Sequence, residues 1–155
     1  MIRRFDIQNL NGQIWSFNTD TWPLKNFEVD GDVRNEELQR MQEHGIWESR
    51  TYLGKVLIHT LGDALYNTPQ DYMVGRLGML NTLVPAGVIE TARRMGRLFI
   101  GFDGITEDFY QDYTLDGYPT LPMLALYPSV TEFQITYKLF RPFMIGVSSG
   151  KLYTI

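Results

Sequence analysis

The most regular pattern in the chain is an alternation near its C-terminal end. Phe133, Ile135, Tyr137 and Leu139 alternate with Glu132, Gln134, Thr136 and Lys138. That period predicts a strand over Val130–Phe140 with one face in a core and the other in water. Lys55–Leu61 instead carries apolar residues at both parities. A strand buried on both faces belongs inside a sheet or at a subunit interface. One helix is predicted. Thr68-Pro69-Gln70-Asp71 reads as an N-cap threonine, a proline at the first helical position and an aspartate closing a capping box. Met73, Leu77, Leu80 and Val84 follow as its apolar stripe, and Pro85-Ala86-Gly87 ends it. Gly75 and Gly78 inside it cost about 1 kcal/mol each against alanine. Close approach of a neighbouring backbone, that of a sheet, is the expected compensation.

The remaining segments read as strands and turns. Phe5–Leu10 and Gln13–Asn18 flank Asn11-Gly12, the pair that best tolerates the two positive φ angles of a type I′ hairpin. Trp15 and Phe17 share one face of the second strand, and Trp22–Val29 is extended. Asp30–Glu43 is acidic, with few apolar anchors. It reads as an exposed loop or arm, with a short helical turn around Asn35–Gln42. Trp47–Leu53 then leads into the Lys55–Leu61 strand. Arg97–Phe102, a turn at Asp103-Gly104 and Glu107–Leu115 follow, with a further turn at Asp116-Gly117. A Pro-punctuated stretch, Pro119–Pro128, precedes the alternating strand. Pro142–Val147 and Lys151–Ile155 make a last hairpin through Ser148-Ser149-Gly150. With no linker, repeat or low-complexity segment, residues 1–155 are expected to form one domain. Its class is α+β, mainly β: sandwich-like or barrel-like sheets with one helix packed across them.

Composition narrows the function classes. Nine Phe, nine Tyr and three Trp in 155 residues supply an aromatic core or apolar surface for partners. The net charge is −4, so no basic stripe exists to replace the counterions of a phosphate backbone. Cysteine is absent, which removes disulfides, thiolate metal sites and cysteine nucleophiles. No apolar run approaches the length of a membrane-spanning helix, and the N-terminus lacks the apolar core of a secretory signal. A soluble protein made in the cytoplasm, without membrane contact, is expected.

Candidate chemistry is thin. His44 lies in Glu43-His44-Gly45 with no second ligand at helical or hairpin spacing. His59, in mid-strand, reads as a satisfied core or interface histidine. Glu107-Asp108, Asp112 and Asp116 offer carboxylate pairs of the kind a glycoside hydrolase needs. Acidic residues in a strand–turn region also make an ordinary solvated face. Asp30–Glu37 lacks the ordered spacing of a calcium loop, and no serine, phosphate-loop or dinucleotide motif is present. Arg93, Arg94 and Arg97 form the only basic cluster, read as a solvated loop or a subunit salt bridge. No catalytic residue, metal or cofactor is implied.

The order of these features resembles a known family. An Asn-Gly hairpin and a long polar segment precede His44-Gly45-Ile46-Trp47-Glu48-Ser49-Arg50-Thr51-Tyr52-Leu53-Gly54. The strand Lys55–Leu61, then Gly62-Asp63-Ala64-Leu65, leads to the helix with Arg76, Leu77, Leu80 and Leu83-Val84-Pro85, and Gly96 opens a new strand. This succession, from about Phe5 to Val147, is similar to the N-terminal domain of siphophage distal tail proteins, whose fold is like that of the tail tube. Many family members carry a second, carbohydrate-module-like domain; this chain has no room for one, so a minimal ring-forming version is implied.

The resemblance implies a six-fold ring at the tail tip of a virion. Such a ring joins the tail tube protein above to the hub or fibre protein below, and DNA passes through without specific binding. Under that reading Glu132, Gln134, Thr136 and Lys138 are candidates for subunit contact or for facing the lumen. Asp32, Arg34, Glu36, Glu37 and Arg40 are candidates for an inter-subunit arm. A half-exposed strand and a disordered surface loop are the ordinary alternatives for these two segments, and both remain open on sequence. A tail tube subunit, a monomeric β-barrel binding a small ligand or sugar, and a hydrolase built on Glu107 and Asp112 are the competing functions.

Overall fold

Strand-forming stretches separated by short turns build one antiparallel sheet with, among the described residues, a single helix against it. The structure, a computed structural model, describes residues 1–39, 46–85, 94–122 and 130–155, and only the backbone of 33–39 and 46–53. The elements are β1 (Ile2–Asn9), β2 (Ile14–Phe17), β3 (Leu24–Gln39), β4 (Ile46–Ala64), α1 (Pro69–Leu83), β5 (Gly96–Phe102), β6 (Phe109–Leu115), β7 (Thr131–Leu139), β8 (Met144–Gly146) and β9 (Leu152–Tyr153). The strand order is β2-β1-β5-β6-β7-β4-β3, with β8 attached to β6 and β9 to β8. The expected fold class stands: mainly β, with one helix among the described residues.

Aromatic side chains curl this sheet on itself. Phe5 of β1 meets Phe27 of β3 and Tyr137 of β7, with ring centroids 5.9 and 5.5 Å apart. Phe17 of β2 meets Phe133 of β7 at 5.6 Å, and Trp22 packs edge-on against Phe17. The inner faces of the β2-β1-β5-β6 half and the β7-β4-β3 half therefore share one core. The predicted alternation of β7 is present in full: Phe133, Ile135, Tyr137 and Leu139 are buried, while Glu132, Gln134 and Lys138 are exposed and Thr136 is half-buried.

Four expectations change. The first hairpin does not close through a type I′ turn, because Gly12 has φ of +85° while Asn11 does not take a positive φ. Asn9 decides this. Its carboxamide oxygen accepts from the backbone N–H of Asn11 and Gln13, both at 3.0 Å, and its carbonyl accepts from Gly12 N–H. The result is a type I turn followed by a left-handed glycine. Next, β4 lies inside the sheet, between β7 and β3, but only one face is buried. Val56, Ile58, Thr60 and Ala64 are buried, and Leu57, His59 and Leu61 are half-covered.

The acidic segment is also different. From Asp30 to Gln39 it is strand, not a loop with a helical turn, and its backbone pairs with β4 from Asp30↔Leu57 out to Gln39↔Ile46. A two-stranded ribbon satisfies its peptide groups across the pair, so it needs no apolar anchors to be extended. Arg40 and the rest of 40–45, including His44, lie outside the described residues.

The helix keeps its predicted start and most of its predicted stripe, with Met73, Leu80 and Val84 half-buried against the core. Thr68 Oγ1 accepts from Asp71 N–H at 3.1 Å. The buried positions are Tyr72, Arg76, Met79, Thr82 and Leu83, whereas Leu77 is 51% exposed. Tyrosine and the aliphatic stem of arginine serve as docking surface here, and a count of aliphatic residues misses them. The glycines are explained by side chains, not by a neighbouring backbone. A methyl group on Gly75 would overlap the Tyr66 hydroxyl, and one on Gly78 would come to 3.1 Å from the Trp15 ring.

Candidate assembly surfaces

Because the two inner faces meet, the two outer faces look away from one another, and their side chains differ. On the β7-β4-β3 side, cross-strand register sets Lys138 beside Leu57, Thr136 beside His59 and Gln134 beside Leu61. Glu28 lies opposite His59 and Asp30 opposite Leu57. His59 Nδ1 is 3.0 Å from Thr136 Oγ1, and its Nε2 is 3.9 Å from Asp30. His59 is thus the satisfied strand histidine expected, in contact with its neighbours across the sheet. Lys25 donates to Glu132 at 2.7 Å and forms an ion pair with Asp63 at 3.1 Å; these two carboxylates hold its ammonium above the ordinary lysine value. The surface is polar and carries charges of both signs, with Asp30 70%, Glu132 62% and Lys25 43% exposed.

On the β1-β5-β6 side, arginines lie over aromatic rings and aspartates. The Arg4 guanidinium sits 5.0 Å from the Phe99 ring, and that of Arg97 sits 4.5 Å from the Tyr110 ring. Arg4 also reaches Asp6 and Asp108, at 2.5 and 2.9 Å, and Arg3 pairs with Asp108. Arg97 bonds Asp112 at 3.2 Å, and Arg94 pairs with the same carboxylate. Asp6 first, then Asp108, raises the Arg4 value against the opposing effect of burial. Burial pushes the Asp108 carboxyl up, but Arg4 and Arg3 together bring it below the ordinary aspartate value. Arg94 and Arg97, read as a solvated loop or a subunit pair, are bonded within the chain. Sequence reasoning passed over Arg3, Arg4, Asp6, Phe99 and Tyr110 as a group. The alternation of Arg97 and Phe99 in β5 with Tyr110 and Asp112 in β6 was the available signal, but only the register places them together.

The carboxylates considered for hydrolysis are engaged in structure. Glu107 accepts from Ser149 N–H at 2.7 Å, Tyr153 hydroxyl at 3.0 Å and Ser148 hydroxyl at 3.1 Å, tying the β8–β9 hairpin to the body. The Ser149 bonds above all hold its carboxyl down to about 2. Asp112 is the carboxylate beneath Arg94 and Arg97. A cleft of about 380 Å³ opens where the starts of β1 and β3 approach, lined by Ile2, Asn18, Leu24, Phe27 and Phe102 among others.

Of the arm residues, Asp32 is exposed on β3, and Arg34, Glu36 and Glu37 lie on the same strand at the register positions of Tyr52, Arg50 and Glu48. Beyond Val56 the β4 strand pairs, among the described residues, with β3 alone, so the outer part of the hairpin is a ribbon of two strands there.

No protein-family model matches the chain, and no curated protein matches it. Among solved structures, it superposes on the crystal structure of the SPP1 Dit (gp 19.1) protein with a TM-score of 0.55 over 92% of its length. The fold is that of a phage distal tail protein. Sequence identity to Dit is 12%, so the likeness is one of fold, and the chain spans about half (52%) of the Dit chain. SPP1 Dit is described as a paradigm of the hub adsorption apparatus in phages that infect Gram-positive hosts.

Proposed function

We propose that this protein is a structural component of a phage tail that assembles with copies of itself into a ring at the distal end. The ring would join the tail tube protein to the hub or fibre protein and leave a channel for DNA. The observation that carries this reading is the Dit-like fold over nearly the whole chain. The two-stranded β3–β4 ribbon supports it. Among the described residues β3 is a long edge strand, and an open edge is a liability in a monomer and an asset in an assembly. The ribbon bearing Asp32, Arg34, Glu36 and Glu37 is then the arm that reaches a neighbouring subunit.

The polar face of β7, with Glu132, Gln134, Thr136 and Lys138, is assigned to the lumen. With one carboxylate, one ammonium and two uncharged polar groups this face carries no net positive charge, so a polyanion can pass without sticking. The role is structural and not catalytic, and the protein resides in the virion tail.

Electron microscopy of negatively stained, concentrated protein tests this. Closed rings with a central hole are expected. Long tubes would identify a tail tube subunit instead, and a field of isolated particles at millimolar concentration would count against assembly of either kind. The cleft between β1 and β3 gives the small-ligand reading its one foothold, and that reading requires a monomer of about 18.0 kDa.

A further inference from the structure

We propose that the arginine-clad face of β1, β5 and β6 is the seat of the acidic strand β3 of a second copy of this chain. The inference deepens the ring reading and rests on it. The β1-β5-β6 face carries four arginines and three aspartates among the described residues, and their depths differ. Arg3, Arg4, Arg94 and Arg97 side chains are 37–45% exposed, whereas Asp6, Asp108 and Asp112 are 14–19% exposed. The carboxylates lie underneath and the guanidinium groups form the outer layer. Phe99 and Tyr110 stiffen that layer by stacking under Arg4 and Arg97, so the cations are held in place before any partner arrives.

The complementary surface lies on the far side of the same molecule. Glu28 and Asp30 are exposed on β3, opposite His59 and Leu57 of β4. Among the described residues, β3 ends the strand order, so one of its edges has no strand beside it. A cationic face and an anionic strand that look in opposite directions cannot meet within one copy. They can meet between copies, each offering the arginine face to one neighbour and β3 to the other. Such a head-to-tail contact closes into a ring or runs into a filament. Nucleic acid is the other polyanion a guanidinium layer attracts. The three aspartates beneath the layer and the net charge of −4 favour a protein carboxylate over it.

The test uses the full chain and two pairs of substitutions. Arg3→Gln with Arg94→Gln removes two outer cations and keeps the two that stack on rings. Glu28→Lys with Asp30→Lys reverses β3. Association is followed by sedimentation against concentration and salt, and thermal unfolding of each variant checks that the fold persists. Either pair should weaken association about tenfold with little change in unfolding temperature, and rising salt should weaken the wild type in the same way. Because the two pairs remove the same contact, combining them should cost less than the sum of the separate losses.

Wild-type assembly that survives both pairs would overturn this inference and leave the ring reading intact. Loss from one pair alone would do the same, since the two surfaces would not be partners. Salt-sensitive binding of duplex DNA that disappears with the arginine pair, while association persists, would assign the face to nucleic acid. Failure of the wild type to associate at any concentration would overturn both this inference and the ring.

Discussion

The root and the outer part of the β3–β4 hairpin are made of the same two strands and are held by different physics. From Leu57 to Gly62, β4 is paired on both sides, to β7 and to β3, and Ile58 is fully buried. Beyond Val56 the ribbon pairs, among the described residues, only with itself, out to Gln39↔Ile46. A two-stranded ribbon is marginal in water, whereas three or more strands over an apolar face stand alone. The root therefore belongs to the body of the fold, and the ribbon is an element that a neighbour would complete. Substitutions in the two regions should separate stability from assembly.

The largest effect is expected in the core behind the root. Phe5 is fully buried against Phe17, Phe27 and Tyr137 and joins the two halves of the sheet. Phe5→Ala should lower stability by about 3–5 kcal/mol in urea unfolding. A loss under 1 kcal/mol would mean that the halves do not share a core. Next comes Gly62, where β4 leaves the root. A methyl group there would overlap the Pro23 carbonyl and the Phe133 ring. Gly62→Ala should cost about 1–3 kcal/mol, because backbone must move to admit it.

A smaller and local effect is expected at Glu107. Its folded carboxyl is held near 2, below the ordinary 4.5. A lowered folded value adds stability that is fully present above 4.5 and disappears as pH falls through about 2. Hydrogen exchange in β8 and β9 should accelerate across that window, and Glu107→Gln should show the fast exchange at neutral pH. Slow exchange in the glutamine variant would show that Ser148, Ser149 and Tyr153 are held by something else. The smallest change should follow excision of residues 33–53 with a short turn in their place. Unfolding of the body should shift by no more than about 0.5 kcal/mol. A larger loss would make the ribbon part of the body.

The same contrast explains what was legible in the sequence. The β7 alternation, the Thr68 cap and the last hairpin were readable because each is decided by neighbours in the chain. The extended ribbon was not, since acidic residues without apolar anchors look like a loop until a partner strand is supplied. The helix stripe was readable at Met73, Leu80 and Val84, but Tyr72 and Arg76, rather than Leu77, complete the buried face. Among the candidate sites, Glu132, Gln134, Thr136 and Lys138 could be placed on one face by period alone. The arginine layer required the register of β1, β5 and β6, which no local pattern encodes.

The most direct test of the account is the mass of the intact chain against that of the ribbon-excised chain, measured by sedimentation equilibrium at the same high concentration. The intact chain is expected at a closed multiple of 18.0 kDa and the excised chain at the mass of a folded monomer. Equal assembly by the two chains, or a monomer for both, would contradict it.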